Sequence, residues 1–148
     1  MASDTTVNMK WNGKKALLKA ARRLDANAER VGIMLEKKAT HKLSGSGGGM
    51  IGPPHRRRNR KPSKPGQPPR VLHGLLRGSL AYSTKRTPKF VTITLGAHTV
   101  YARHLELGNP KGSKTDSKSG LAARPYLRPT IRENRKQAII RLTKGLFR

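Results

Sequence analysis

The chain has no cysteine, only seven carboxylates, one tryptophan, three tyrosines and two phenylalanines in 148 residues. Without cysteine there can be neither a disulfide framework nor a thiolate metal site, and a reducing compartment is the expected setting. No apolar run approaches the ~20 residues needed to span a bilayer, and the opening MASDTTVNMKWNGKK lacks the apolar core of a secretory signal. The chain is therefore expected to stay in the cytoplasm in which it is made, with no membrane partner. Scarce aromatics leave little material for base stacking.

Against seven Asp and Glu stand 33 Lys and Arg, a formal charge of +26. Solubility needs far less, so the excess points to a polyanion or to strongly acidic neighbours. The charge is also regional. From Lys37 to Leu105 there is no carboxylate at all, while HRRRNRKPSK places Arg56, Arg57, Arg58, Arg60, Lys61 and Lys64 together as candidate nucleic-acid contacts. These would neutralise phosphates without reading sequence, because no groove-reading module accompanies them.

Catalysis and cofactor binding find no support in the motifs. His41, His55, His73, His98 and His104 show neither HExxH nor any metal-ligand spacing. GNPKGSKT fails as a phosphate loop because Ser113 stands where the pattern needs Gly, and GSGGGMIG reads as a hinge. Glu106, isolated among apolar and aromatic residues, suits a structural ion pair with Arg103 or Arg124 better than acid–base chemistry. No enzyme, metal or cofactor is expected.

Length predicts one domain spanning 1–148. Leu17, Ala21, Leu24, Ala28, Val31 and Leu35 advance by fours and threes, which predicts an amphipathic helix over 13–43 with Asn12 as N-cap. From 44 to 70 Gly, Ser and Pro dominate, giving an expected flexible basic arm inside the domain. VLHGLLRGSLAYS predicts a helical turn leading into a strand, and FVTITLG pairs with that strand as an antiparallel hairpin. Residues 99–107 read as the start of a third strand ending in a helical turn closed by Gly108. Pro129 suits the first turn of a last helix, whose expected apolar stripe is Ile131, Arg135, Ile139, Leu142 and Leu146. The fold class is α+β: a long N-terminal helix, a small antiparallel β-sheet and a C-terminal helix packed on the sheet.

In order along the chain, PG-x-PP, GLLRGSL, YARHLELGN, a polar loop and ARPYLRPTIRENR resemble the neck and tail-completion family of long-tailed bacteriophages, the protein-Z-like minor tail proteins. Tyr101, Ala102, Glu106 and Gly108 match that family's Tyr-Ala-x-x-x-Glu-x-Gly. Ala123, Arg124, Pro125, Leu127 and Pro129 match its Ala-Arg-Pro-Phe-Leu-x-Pro, with Tyr126 in place of the commoner Phe. The similarity covers roughly 64–146 and departs at Val71, Leu72, His73 and Gly74, where the family often carries Val-Asp-Thr-Gly.

The resemblance implies a structural virion protein that forms a hexameric ring at the head-proximal end of a tail or in the neck. Such a ring would lie between tail-terminator or tail-tube proteins and head-connector proteins, with phage DNA in its lumen. The alternative is a sequence-independent DNA- or RNA-binding protein. Pro125 and Pro129 restrict the backbone around Tyr126 and Leu127, presenting them as a preset apolar anchor, with Tyr101 and Leu105 as part of a receiving surface. The same two side chains could equally close the domain's own core.

Overall fold

The computed structural model describes residues 12–45, 63–69, 74–87, 90–109 and 120–146. The periodic N-terminal segment is one helix, α1 (Gly13–Gly45). Its first hydrogen bond runs from the Ala16 N–H to the Asn12 carbonyl at 3.1 Å, so Asn12 sits where an N-cap must. A single turn, α2 (Leu75–Gly78), feeds β1 (Leu80–Arg86), which pairs antiparallel with β2 (Val91–Ala97). A short helix, α3 (Ala102–Leu107), and a longer one, α4 (Leu127–Thr143), complete an α+β order that agrees with the sequence expectation.

The hairpin buries one face only, as two strands must. Leu80 lies opposite Ala97, Tyr82 opposite Leu95 and Thr84 opposite Ile93 on the inner face, while Ser83, Thr92 and Thr94 are exposed. What covers that face is α1. Ala39 and Leu43 of α1 meet Leu80 and Tyr126, with Leu76, Leu95, Ala97 and Leu127 packed around them. Further along α1, Val31, Met34 and Leu35 meet Ile93 and Leu95 on one side and Ala138 and Leu142 on the other. The long helix is thus the middle of the molecule, and α4 joins the sheet's core by way of α1.

Close approach of the hairpin to α1 depends on Gly32. A Cβ there would lie 2.2 Å from Cδ2 of the Tyr82 ring and 2.6 Å from Cε2. Glycine in a helix interior costs about 1 kcal/mol relative to alanine, yet here only glycine leaves room. Gly32→Ala is therefore expected to lose roughly 2 kcal/mol of stability despite its better propensity, because overpacking outweighs it. A chemical denaturation midpoint equal to or above that of the parent would refute this packing.

Four expectations change. The apolar stripe anticipated on α4 is only partly its inner face: Ile131, Arg135 and Ile139 are exposed, while Leu142 of that stripe packs inward together with Thr130, Asn134 and Ala138, roughly a quarter turn from the exposed three. Buried polar groups are tolerated there because Thr130 Oγ1 donates to the Tyr126 carbonyl at 2.6 Å and Asn134 Nδ2 to the Thr130 carbonyl at 2.8 Å. On α1, the stripe continues past its partners, leaving Leu17 73% exposed. No third strand forms at 99–101, which make a turn into α3. Finally, the end of the anticipated arm is docked: Ser63 and Pro69 are buried around a turn at 65–66, and the Gly66 N–H donates to the Ala123 carbonyl at 2.9 Å.

Candidate functional site

The two motifs singled out by sequence meet in space, and Glu106 joins them. A helix leaves its first N–H groups without intrahelical acceptors. At the start of α4 the carboxylate of Glu106 takes three of these groups. Oε2 accepts from the Tyr126 and Leu127 N–H at 2.8 and 3.0 Å, and Oε1 accepts from the Arg128 N–H at 2.9 Å. Pro129 has no N–H to satisfy, and the Thr130 N–H begins the ladder by donating to the Tyr126 carbonyl at 3.4 Å. Every donor of the first turn is accounted for. A negative charge at the positive end of the helix dipole adds to the hydrogen bonds.

The expected ion pair of Glu106 with Arg103 or Arg124 is therefore replaced by a cap. Arg124 points elsewhere, its Nε donating to the Ser63 carbonyl at 3.2 Å while its N–H donates to the Leu105 carbonyl at 2.7 Å. The two strands of chain are further fastened by reciprocal hydrogen bonds between Asn109 and Leu121, at 2.8 and 2.9 Å. Gly108, at φ +77°, makes that approach possible, since a Cβ would stand 2.8 Å from the Leu121 carbonyl oxygen and 2.9 Å from the Ala123 nitrogen.

Tyr126 is the largest completely buried side chain among the described residues, so the ring anchors its own domain and is not presented to a neighbour. Pro125 and Leu127 are half-buried beside it, and Tyr101 is 41% exposed at the entrance to α3. The Tyr126 hydroxyl has no hydrogen-bond partner among the described residues. Burial, and then the nearby Glu106 and Tyr101, push its pKa up to about 12. Tyr82, on the hairpin, is also raised, first by donating its hydroxyl hydrogen bond to Glu29 Oε2 at 3.0 Å.

The far end of α4 is held by residues that sequence patterns did not single out. Asn27 of α1, itself buried, donates from Nδ2 to the Leu142 and Lys144 carbonyls at 3.0 Å each, and an Arg23 guanidinium nitrogen donates to the Gly145 carbonyl at 2.6 Å. Carboxylate at one end and amide plus guanidinium at the other oppose the helix dipole as capping requires. A single buried Asn on an otherwise apolar helical stripe was the signal that could have found it.

Of the basic candidates, Arg56, Arg57, Arg58, Arg60 and Lys61 lie outside the described residues, and Lys64 is exposed in the docked turn. Among the described residues no group of three His, Asp or Glu is placed to hold a metal ion, and no helix is long and apolar enough to cross a membrane. Shallow depressions formed by the described residues lie along α1 and between α1 and α4. What the arrangement offers is a stiff junction, with exposed apolar side chains at Val100 (94% exposure), Leu107 of α3 and Ile131 of α4, and further along α4 at Ile139 and Ile140. Comparison with family models, with curated proteins and with solved structures gave no match to this chain.

Proposed function

We propose that the chain is a structural virion protein whose copies close into a hexameric ring at the head-proximal end of a long phage tail or in the neck. There it completes the tail and joins it to the head around the DNA channel. The observation that carries this reading is the Glu106 cap. It locks the YARHLELGN and ARPYLRP segments into one stiff unit, and those are the two segments that resemble the tail-completion family.

Support also comes from the apolar side chains left outside. A domain this charged that still exposes Leu17 at one end and Ile131 and Ile139 along α4 has surfaces suited to a second copy. One end of α1 against the α4 stripe of the next subunit is a heterologous contact, the kind that generates rings when the rotation closes. Docking thus falls to Leu17, Ile131 and Ile139 in place of Tyr126.

Sedimentation of the purified full chain tests this reading. A single species of ring mass is expected, with Ile131→Asp/Ile139→Asp giving folded monomers. A parent chain that stays monomeric at every concentration and is missing from purified particles would contradict it.

A further inference from the structure

The charge on α1 is unevenly placed. Its three carboxylates, Asp25, Glu29 and Glu36, recur at i, i+4 and i+11 and so fall on the edge that meets the hairpin. There Asp25 pairs with Arg86 at 2.6 Å, Glu29 accepts from Tyr82 and Thr84, and Glu36 acts on Tyr82 through space. The outward face beside it is cationic: Lys15 and Arg22 continue the seven-residue line of Glu29 and Glu36 toward the start of the helix, and Lys19, Arg30 and Lys37 lie on the solvent side of that line. Lys15, Lys19, Arg22, Arg30, Lys37 and Lys38 are all exposed, and none of their side chains has a hydrogen-bond or ion-pair partner among the described residues. Arg141 of α4 adds its charge to the same groove.

We infer that this outward face of α1 is a seat for the phosphate backbone of duplex DNA, separate from the basic run at 56–64. It deepens the DNA-handling part of the proposed function and rests on that part alone. Three features favour a duplex. At 1.5 Å per residue the row from Lys15 to Lys38 is roughly 35 Å long, a length over which a duplex presents about 20 phosphates on its two strands. Second, the surface is two open, shallow depressions rimmed by these cations, floored by Leu18 and Ala26 in one and by Ile33 and Met34 in the other. That shape suits a long convex polyanion and not a small enclosed ligand. Third, the described part of α1 carries no Phe, Tyr or Trp, so it has no platform on which the bases of a single strand could stack. Glu36 lines the adjoining depression, which shares Ile33, Lys37 and His41 with the second of those two.

The test is fluorescence anisotropy of the full chain with a mixed-sequence duplex of about 30 base pairs, titrated at several NaCl concentrations, since the number of phosphates neutralised is read from the salt slope. Three proteins are compared: the parent, Arg30→Gln/Lys37→Gln/Lys38→Gln, and Arg56→Gln/Arg57→Gln/Arg58→Gln/Arg60→Gln. Neutralising three contacts on α1 is expected to weaken duplex binding about 100-fold near 0.1 M salt and to flatten the slope by about 3, with an unchanged melting temperature. A single strand of equal length should bind the parent more weakly than the duplex.

Equal affinity and slope for the parent and the α1 variant would overturn the inference. So would complete loss of duplex binding in the 56–60 variant alone, or tighter binding of polyglutamate than of duplex, which would point to an acidic protein. Sedimentation of the same samples keeps the two proposals apart. Monomers that bind duplex through α1 contradict the ring and uphold the seat, and rings indifferent to the α1 changes do the reverse.

Discussion

Tyr126→Ala is expected to lower the stability of the domain by about 3–5 kcal/mol, the range for removing a large ring from a packed core. The ring is fully buried against Ala39, Leu43 and Leu80, so its loss opens a cavity where α1, the hairpin and the start of α4 converge. For a domain of this size that corresponds to a fall in melting temperature of roughly 10–15 °C, readable by circular dichroism. Tyr126→Phe isolates the hydroxyl. Because that oxygen is buried without a partner among the described residues, removing it should leave stability unchanged or raise it by about 1 kcal/mol.

The phenol also sets a pH signature. Between the ordinary tyrosine value near 10 and the folded value of about 12, the unfolded chain has lost this proton and the folded one keeps it. Stability contributed by keeping the phenol neutral is present in full below pH 10 and falls as pH rises toward 12, by about 2 kcal/mol for this group. Tyr126→Phe should abolish that part of the alkaline decline. A Phe variant less stable than the parent at pH 7 by more than about 1 kcal/mol would show that the hydroxyl is bonded after all.

Glu106→Ala is expected to cost about 3 kcal/mol. Three charge-assisted hydrogen bonds disappear together, each of a kind worth about 1.5–3 kcal/mol, and the sum is not additive because water reaches part of the freed helix end. Glu106→Gln retains one acceptor oxygen and should recover about a third of the loss; Glu106→Asp, one methylene shorter, should fail to reach all three N–H groups. Amide exchange gives the clearest reading, since protection of the Leu127 and Arg128 amides should drop in the Ala variant while those of β1 keep theirs. Unchanged protection at α4 would mean that the cap contributes nothing to the junction.

Local signals were enough for most of the architecture. The 3–4 spacing of α1, the α2 turn into β1 and the alternation in FVTITLG each depend on residues close in sequence, and each is found where expected. Failures occurred where a distant element decides. Ile131, Arg135 and Ile139 have the stronger apolar period, yet α1 receives the side bearing Thr130 and Asn134, because those polar groups are satisfied within their own helix. Periodicity marks a surface that is to be covered without saying whether this chain or another copy covers it.

Glu106 illustrates the same limit at the site. A carboxylate near arginines reads as half of an ion pair, but the open N–H groups of α4 are donors with no side-chain signature, and only the fold brings them within 3.0 Å. Asn27 and Arg23 at the other end of α4 were illegible for the same reason, with more than a hundred residues between donor and acceptor. Backbone groups left over at helix ends are where a contact can be long-range in sequence and still be required.

The central claim is that this polypeptide is a junction piece of a phage particle. Electron microscopy of particles assembled with its coding sequence deleted tests that most directly. Filled heads and separate tails that fail to join, rescued when the purified chain is added back, are the predicted result; intact joined virions formed in its absence would contradict it.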